Sequence, residues 1–167
     1  MRGRLLVAGI GNIFFGDDAF GVELVRELAQ RPWPPEVSVV DFGIRGFDLA
    51  CALASDYDAV ILVDTTQRGG SPGMLYVIEP DIAATAANRA SGVEAHSLDP
   101  AQVLRLAREL GRPCPWVRIV GCEPLTFGSA EEPALGLSEP VRAAVGEGVR
   151  LVEALIRNYL SRRPAAP

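Results

Sequence analysis

The sequence predicts an α/β chain built on a doubly wound, mostly parallel sheet of about five strands. Two observations carry that expectation. Short, continuous apolar runs such as Leu5-Leu6-Val7-Ala8 and Ala59-Val60-Ile61-Leu62-Val63 read as strands buried on both faces, not as strands with one wet face. Segments of helical spacing stand between such runs, and a strand–helix alternation is the pattern of parallel sheets. The 167 residues suffice for one core without disulfide or metal staples, so a single domain is expected over 1–160, with 161–167 as a disordered tail.

Taken in order, the first strand runs into Gly9, and a loop extends from there to Asp18. From Ala19 the spacing turns helical, with Phe20, Leu24 and Leu28 on one stripe, until Pro32-Trp33-Pro34-Pro35 stops it. Val37 to Asp41 reads as a strand, Phe47 to Ala54 as a short helix, and Ala59 to Asp64 as a third element of the sheet. After the turn Gly69-Gly70-Ser71-Pro72-Gly73, Met74 to Ile78 reads as a strand near enough to Asp64 for a hairpin-like antiparallel edge. Residues 81–95 are weakly patterned and read as loop with a brief helix. Asp99-Pro100-Ala101-Gln102 opens a helix by mechanism: a carboxylate cap, proline at the first helical position and glutamine three residues after the cap. That helix runs to Gly111 with Val103, Leu106, Ala107 and Leu110 as its apolar stripe. Trp116 to Gly121 is the last strand, 122–137 a long loop, and Ser138 to Tyr159 the closing helix in spite of Gly146 and Gly148.

Composition removes several function classes. With 16 basic and 21 acidic residues the net charge is −5, and a net acidic surface repels phosphate, so no nucleic-acid partner is expected. No run of 18 apolar residues occurs, and the first residues lead straight into a strand; the expectation is a soluble, cytoplasmic protein without a membrane partner. Cys51, Cys114 and Cys122 are odd in number and lack C-x-x-C spacing, which reads as buried thiols acting as small hydrophobes. There is one histidine, so a metal site that needs imidazole has His96 as its single candidate.

In doubly wound folds ligands sit at the carboxyl ends of the strands. Asp17 and Asp18 lie in the first such loop, Asp64 ends the third apolar run, and His96 precedes a helix start. Each has a plain alternative: one of Asp17 and Asp18 as N-cap of the first helix, Asp64 as a turn residue or cap, His96 as a structural or exposed histidine. Taken together, carboxylate oxygens and one imidazole nitrogen suit a divalent transition ion. The competing motif is the glycine loop. Gly9-x-Gly11 begins a dinucleotide fingerprint, but Phe14 stands where the third glycine belongs, and Asp17 and Asp18 put negative charge where a pyrophosphate needs the helix N-terminus. No H-E-x-x-H is present.

The segment Gly9-Ile10-Gly11-Asn12-Ile13-Phe14-Phe15-Gly16-Asp17-Asp18-Ala19-Phe20-Gly21 resembles the first-loop signature of the hydrogenase maturation proteases. Asp41-Phe42-Gly43-Ile44-Arg45-Gly46 resembles that family's D-x-G-x-x-G segment, Val63-Asp64 its strand-ending aspartate and Ala95-His96-Ser97-Leu98 its histidine segment. Val120-Gly121-Cys122-Glu123-Pro124 with Gly136-Leu137-Ser138 resembles its C-terminal pattern, so the likeness spans nearly the whole chain in order. The resemblance implies a three-layer α/β/α sandwich and an endopeptidase that removes the C-terminal extension of a nickel-loaded precursor of the nickel–iron hydrogenase large subunit. It implies a metal-contacting and catalytic triad, here Asp18, Asp64 and His96, directed at nickel that the substrate supplies, either as a recognition tag or as a Lewis acid. Some members carry glutamate where Asp18 stands; Asp17 stays open as the alternative ligand, with Asp18 then the cap. Asp17, Asp41, Gly43 and Gly46 are expected in the substrate cleft, where glycines let a peptide backbone approach. The rival readings are a non-enzymatic, Rossmann-like nucleotide- or metal-binding maturation factor, and a chaperone-like partner that inspects a metal site without cutting.

Overall fold

The computed structural model describes residues 3–55, 57–81, 99–111 and 114–162. Five strands form one sheet in the order β2-β1-β3-β5-β4, with β1 at Leu5–Ile10, β2 at Val37–Gly43, β3 at Ala59–Thr65, β4 at Leu75–Ile78 and β5 at Trp116–Cys122. β2, β1, β3 and β5 run parallel, and β4 lies antiparallel along β5. Helices α1 (Phe20–Leu28) and α4 (Glu139–Ser161) cover one face; α2 (Gly46–Ser55) and α3 (Pro100–Leu110) cover the other. The result is a three-layer α/β/α sandwich around a mostly parallel sheet.

The period of two along a strand divides the core. Leu5 and Val7 of β1 join the cluster under α1 and α4, whereas Leu6, Ala8 and Ile10 join the cluster under α2 and α3. Covering on both faces is why every residue of β1, and of β3 as far as Asp64, is buried. Helix α1 packs unusually close to the sheet. A Cβ on Gly21 would collide with the carbonyl oxygens of Ile10 and Val63, and one on Gly9 with the Gly21 carbonyl. The close approach that a dinucleotide fingerprint assigns to its third glycine is therefore supplied here by Gly21. Gly148 explains one of the glycines inside α4, because a Cβ there would lie 2.6 Å from Leu24 Cδ1 of α1.

Local signals act as expected at several ends. The Ala101 amide donates to Asp99 Oδ1 at 2.9 Å, with Pro100 in the first turn of α3, and the Trp33 indole donates to the Leu28 carbonyl at 3.0 Å past the end of α1. Other boundaries move. β1 and β2 continue to Ile10 and Gly43, and α4 continues to Ser161. The stripe of α3 is rotated from the expected one: Val103, Leu104 and Ala107 are buried, and Leu110 is exposed, because α3 packs sideways on α2 as well as on the sheet. The expected hairpin of β3 and β4 is also corrected. The loop after β3 crosses the end of β5, where Thr66 N donates to the Cys122 carbonyl, Gly73 N to the Glu123 carbonyl and Glu123 N to the Met74 carbonyl, so β5 lies between β3 and β4. Gly121 makes the crossing possible, since a Cβ there would lie 2.8 Å from the Thr66 side chain. The brief helix expected within 81–95 and the tail beyond 162 fall on residues outside those described.

Candidate active site

The three central strands, β1, β3 and β5, end at the same edge of the sheet, and the loops after them build the site. Asp64 is the penultimate residue of β3, only 6% exposed, and its Oδ1 accepts the Thr65 amide at 2.8 Å. Asp18 lies in a 3-10 turn, Gly16–Ala19, that precedes α1; its Oδ2 accepts the Asn12 amide at 2.7 Å and its Oδ1 the Thr65 hydroxyl at 3.5 Å. Thr65 thus touches both carboxylates. Burial pushes the Asp64 carboxyl well above the usual carboxylate range, and the negative charges of Asp18 and then Asp99 add to the push, against the Thr65 donors. Burial likewise raises Asp18, against the hydrogen bonds from Asn12 and Thr65. Among the described residues no cationic side chain pairs with either.

Asp17 behaves differently. It is fully buried and does not reach a cleft. Its Oδ2 accepts the Leu125 amide at 2.8 Å, the Thr126 amide at 3.0 Å and the Ser138 hydroxyl at 2.8 Å, and its Oδ1 accepts the Ser138 amide at 2.7 Å. Burial works to raise this carboxyl, but the Ser138, Thr126 and Leu125 amides with the Ser138 hydroxyl outweigh it and hold the group below its ordinary value. The expectation that Asp17 or Asp18 caps α1 is corrected: the N-cap of α1 is Ala19, and neither turn nor helix has a side-chain cap. Both carboxylates are drawn away from the helix, one by the C-terminal loop and one by the first loop.

A cleft of about 320 Å³ opens beside the first loop, and Asn12, Phe14, Asp41, Gly43, Ile44 and Arg45 line it. Asp41 and Gly43 are both in its lining, with Gly43 at φ +54° and Asp41 Oδ2 accepting from Arg26 Nε at 3.1 Å. Gly46 does not line this cleft; it is the first residue of α2. His96 lies outside the described residues, three positions before Asp99 in the sequence. Among the described residues, no three His, Cys, Asp or Glu side chains group so as to hold a metal ion.

Sequence reasoning assigned no chemistry to Asp99 beyond its cap, yet its charge reaches Asp64. Glu123 is a second such residue. It accepts the Arg68 amide at 2.9 Å, the Gly69 amide at 3.2 Å and the Tyr76 hydroxyl at 2.9 Å, which fixes the loop between β3 and β4. Cys122 beside it is buried, and burial, then the charges of Asp17 and Glu123, pushes its thiol up to about 12, which makes it a packing group and not a nucleophile. The glycine loop offers no phosphate cradle: the amides of Gly11, Asn12, Phe14, Phe15, Gly16, Asp17 and Asp18 all have acceptors within the protein.

The fold and this edge define an α/β/α protein of the doubly wound class in which a buried and a half-buried carboxylate, Asp64 and Asp18, meet over the end of its central strand. The sequence profile of the hydrogenase maturation protease family matches residues 22–157. A hydrogenase expression/formation protein, HupD, of Bradyrhizobium diazoefficiens is 32% identical over 97% of this chain and 84% of its own. The hydrogenase 2 maturation protease of Escherichia coli is 30% identical over 92% of this chain and 91% of its own. The solved structure of the hydrogenase maturating endopeptidase HybD from Escherichia coli superposes with a TM-score of 0.75 at 29% identity, covering 93% of both chains. The chain belongs to the hydrogenase maturation protease family, and its activity is that of an endopeptidase in hydrogenase maturation.

Proposed function

We propose that the protein removes the C-terminal extension of a nickel-loaded precursor of a nickel–iron hydrogenase large subunit, engaging the substrate's nickel through Asp18, Asp64 and His96. The observation that carries this reading is the pair Asp18 and Asp64, brought together from two strand ends, both raised by burial and neither paired with a described cation. Such a pair is costly to ionise until positive charge arrives, and substrate nickel brings it. Asp18 is the ligand of choice over Asp17, whose two oxygens already serve four donors. Asp99, whose charge reaches Asp64, stands three positions after His96 in the sequence, and this supports including the histidine in the reading. Asp18 is one methylene shorter than the glutamate that some members carry, and the Asn12 amide donates to its Oδ2.

Hydrolysis adds water across one peptide bond. One carboxylate of the pair takes the proton of the attacking water and returns it to the departing amine, a role suited to a carboxyl raised towards neutrality. Nickel-loaded and nickel-free precursor, incubated with wild type, His96→Ala and Asp64→Asn, then weighed by mass spectrometry, test the reading. Only wild type on the loaded precursor should yield the shortened subunit, with each variant at least about 100-fold slower. Normal processing by His96→Ala sinks the triad.

A further inference from the structure

Among the described residues, the exposed apolar side chains are not spread evenly. Of the nine large ones there, seven belong to segments at the edge of the sheet that carries Asp18 and Asp64: Phe14, Ile44, Phe47, Met74, Leu125, Phe127 and Leu135. Only Leu110, at the far end of α3, lies towards the opposite edge, and Val77 sits along β4. A soluble surface exposes single apolar residues anywhere, but a one-sided concentration on loops marks an interaction site.

Four of them share one support. Phe14 accepts the Ala134 amide at 3.0 Å, Gly16 N donates to the Ala134 carbonyl at 2.7 Å, and Phe15 and Ala134 form a parallel bridge. Asp17 then clamps the Leu125 and Thr126 amides from the same first loop. The first loop and the loop after β5 are therefore one platform, carrying Phe14, Leu125 and Leu135 at 56%, 57% and 76% exposure, with Phe127 beside them. Asn12 joins this platform to the carboxylate pair: its amide donates to Asp18 Oδ2 at 2.7 Å and its Oδ1 accepts the Phe14 amide at 3.0 Å.

We infer that this platform is a docking surface for the protein substrate, taking an apolar surface of the precursor that adjoins the bond to be cut. The inference rests on the proposed function and adds to it a second zone of recognition, apolar and away from the reacting groups. A preformed, fixed platform binds without ordering its own loops, and the energy serves ground state and transition state alike. Its loss is therefore read in KM and not in kcat.

The test is the double variant Leu125→Ser with Leu135→Ser, assayed on nickel-loaded precursor, with thermal unfolding and sedimentation velocity in parallel. Both positions keep their backbone amides, and neither lines the cleft. KM should rise at least about tenfold with kcat within about twofold of wild type and the melting temperature unchanged. Val77→Ser and Leu110→Ser should alter neither constant. A KM within about twofold of wild type overturns the inference whatever happens to kcat. So does a wild-type dimer that the double variant dissolves, since the patch would then serve a second copy. If the double variant loses stability, Leu135→Ser alone carries the same expectation. Asp64→Asn run alongside separates the two ideas: full cleavage by that variant removes the triad and leaves docking standing, whereas an unmoved KM in the loop variant removes docking only.

Discussion

Adjacent aspartates in this chain have opposite electrostatic fates, and the difference lies in their donors. Asp17 has four, supplied by Leu125, Thr126 and Ser138, and is stabilised as an anion; Asp18 has two and is not. Asp17→Ala would leave three part-buried amides and a hydroxyl without their acceptor, with an expected loss of about 3 kcal/mol in urea unfolding. Because its carboxyl is held below its ordinary value of 3.8, the stability Asp17 confers is complete above that pH and is lost as the pH falls below it. Asp64 works in the other sense. Its folded-state carboxyl is raised above 3.8, so the stability present in acid is lost as pH rises through the raised value. Asp64→Asn should flatten that decline and raise the melting temperature of the substrate-free protein at pH 8, while abolishing cleavage. A variant no more stable than wild type at that pH would count against the buried carboxylate as a source of strain. The dipeptide itself gives no hint of the division, because the donors that decide it stand more than 100 positions later in the chain.

Among the elements, the signals that were legible in sequence are those fixed within a few residues. Continuous apolar runs marked β1 and β3 as central strands, and Asp99-Pro100 marked the start of α3. What needed the fold was partner choice. Met74 to Ile78 has the same strand character whether it pairs with β3 or β5, and only the crossing loop, anchored by Glu123 and admitted by Gly121, selects β5. The stripe of α3 was ambiguous for a similar reason: leucines at 104, 106 and 110 allow two faces at helical spacing, and α2 chooses. Glycine contacts rank the elements by tolerance. Gly21→Ala would drive a methyl into two backbone carbonyls of β1 and β3 and should prevent folding or cost more than about 3 kcal/mol. Gly148→Ala meets side chains alone, the end of Leu24 at 2.6 Å and the edge of the Phe20 ring at 3.3 Å, and should cost about 1 kcal/mol, offset in part by better helix propensity. Chemical denaturation of the two variants checks the order; equal losses would mean that α1 can slide on the sheet.

At the scale of the molecule, the sheet order places β3 between β1 and β5, so the loops of its two neighbours meet above the end of β3. The carboxylates Asp18 and Asp64 were legible as residue types near strand ends, and the family likeness singled them out; the apolar platform around them was not, because its members are scattered from Phe14 to Leu135 and none is unusual alone. No helix among the described residues is long and apolar enough to cross a membrane. The Asp17 clamp has a consequence in time as well as in space. Its last donor, Ser138, stands 121 positions later, at the threshold of α4, and the core beneath α1 is closed by Val141, Val149, Val152 and Ile156 of that same helix. During synthesis the first loop is made early but has nothing to hold it until the final helix emerges and docks. An ordered first loop therefore waits on the emergence of α4, and a ribosome-bound chain that stops before it carries Asp18 and Asp64 on a loop whose Asp17 clamp is still open.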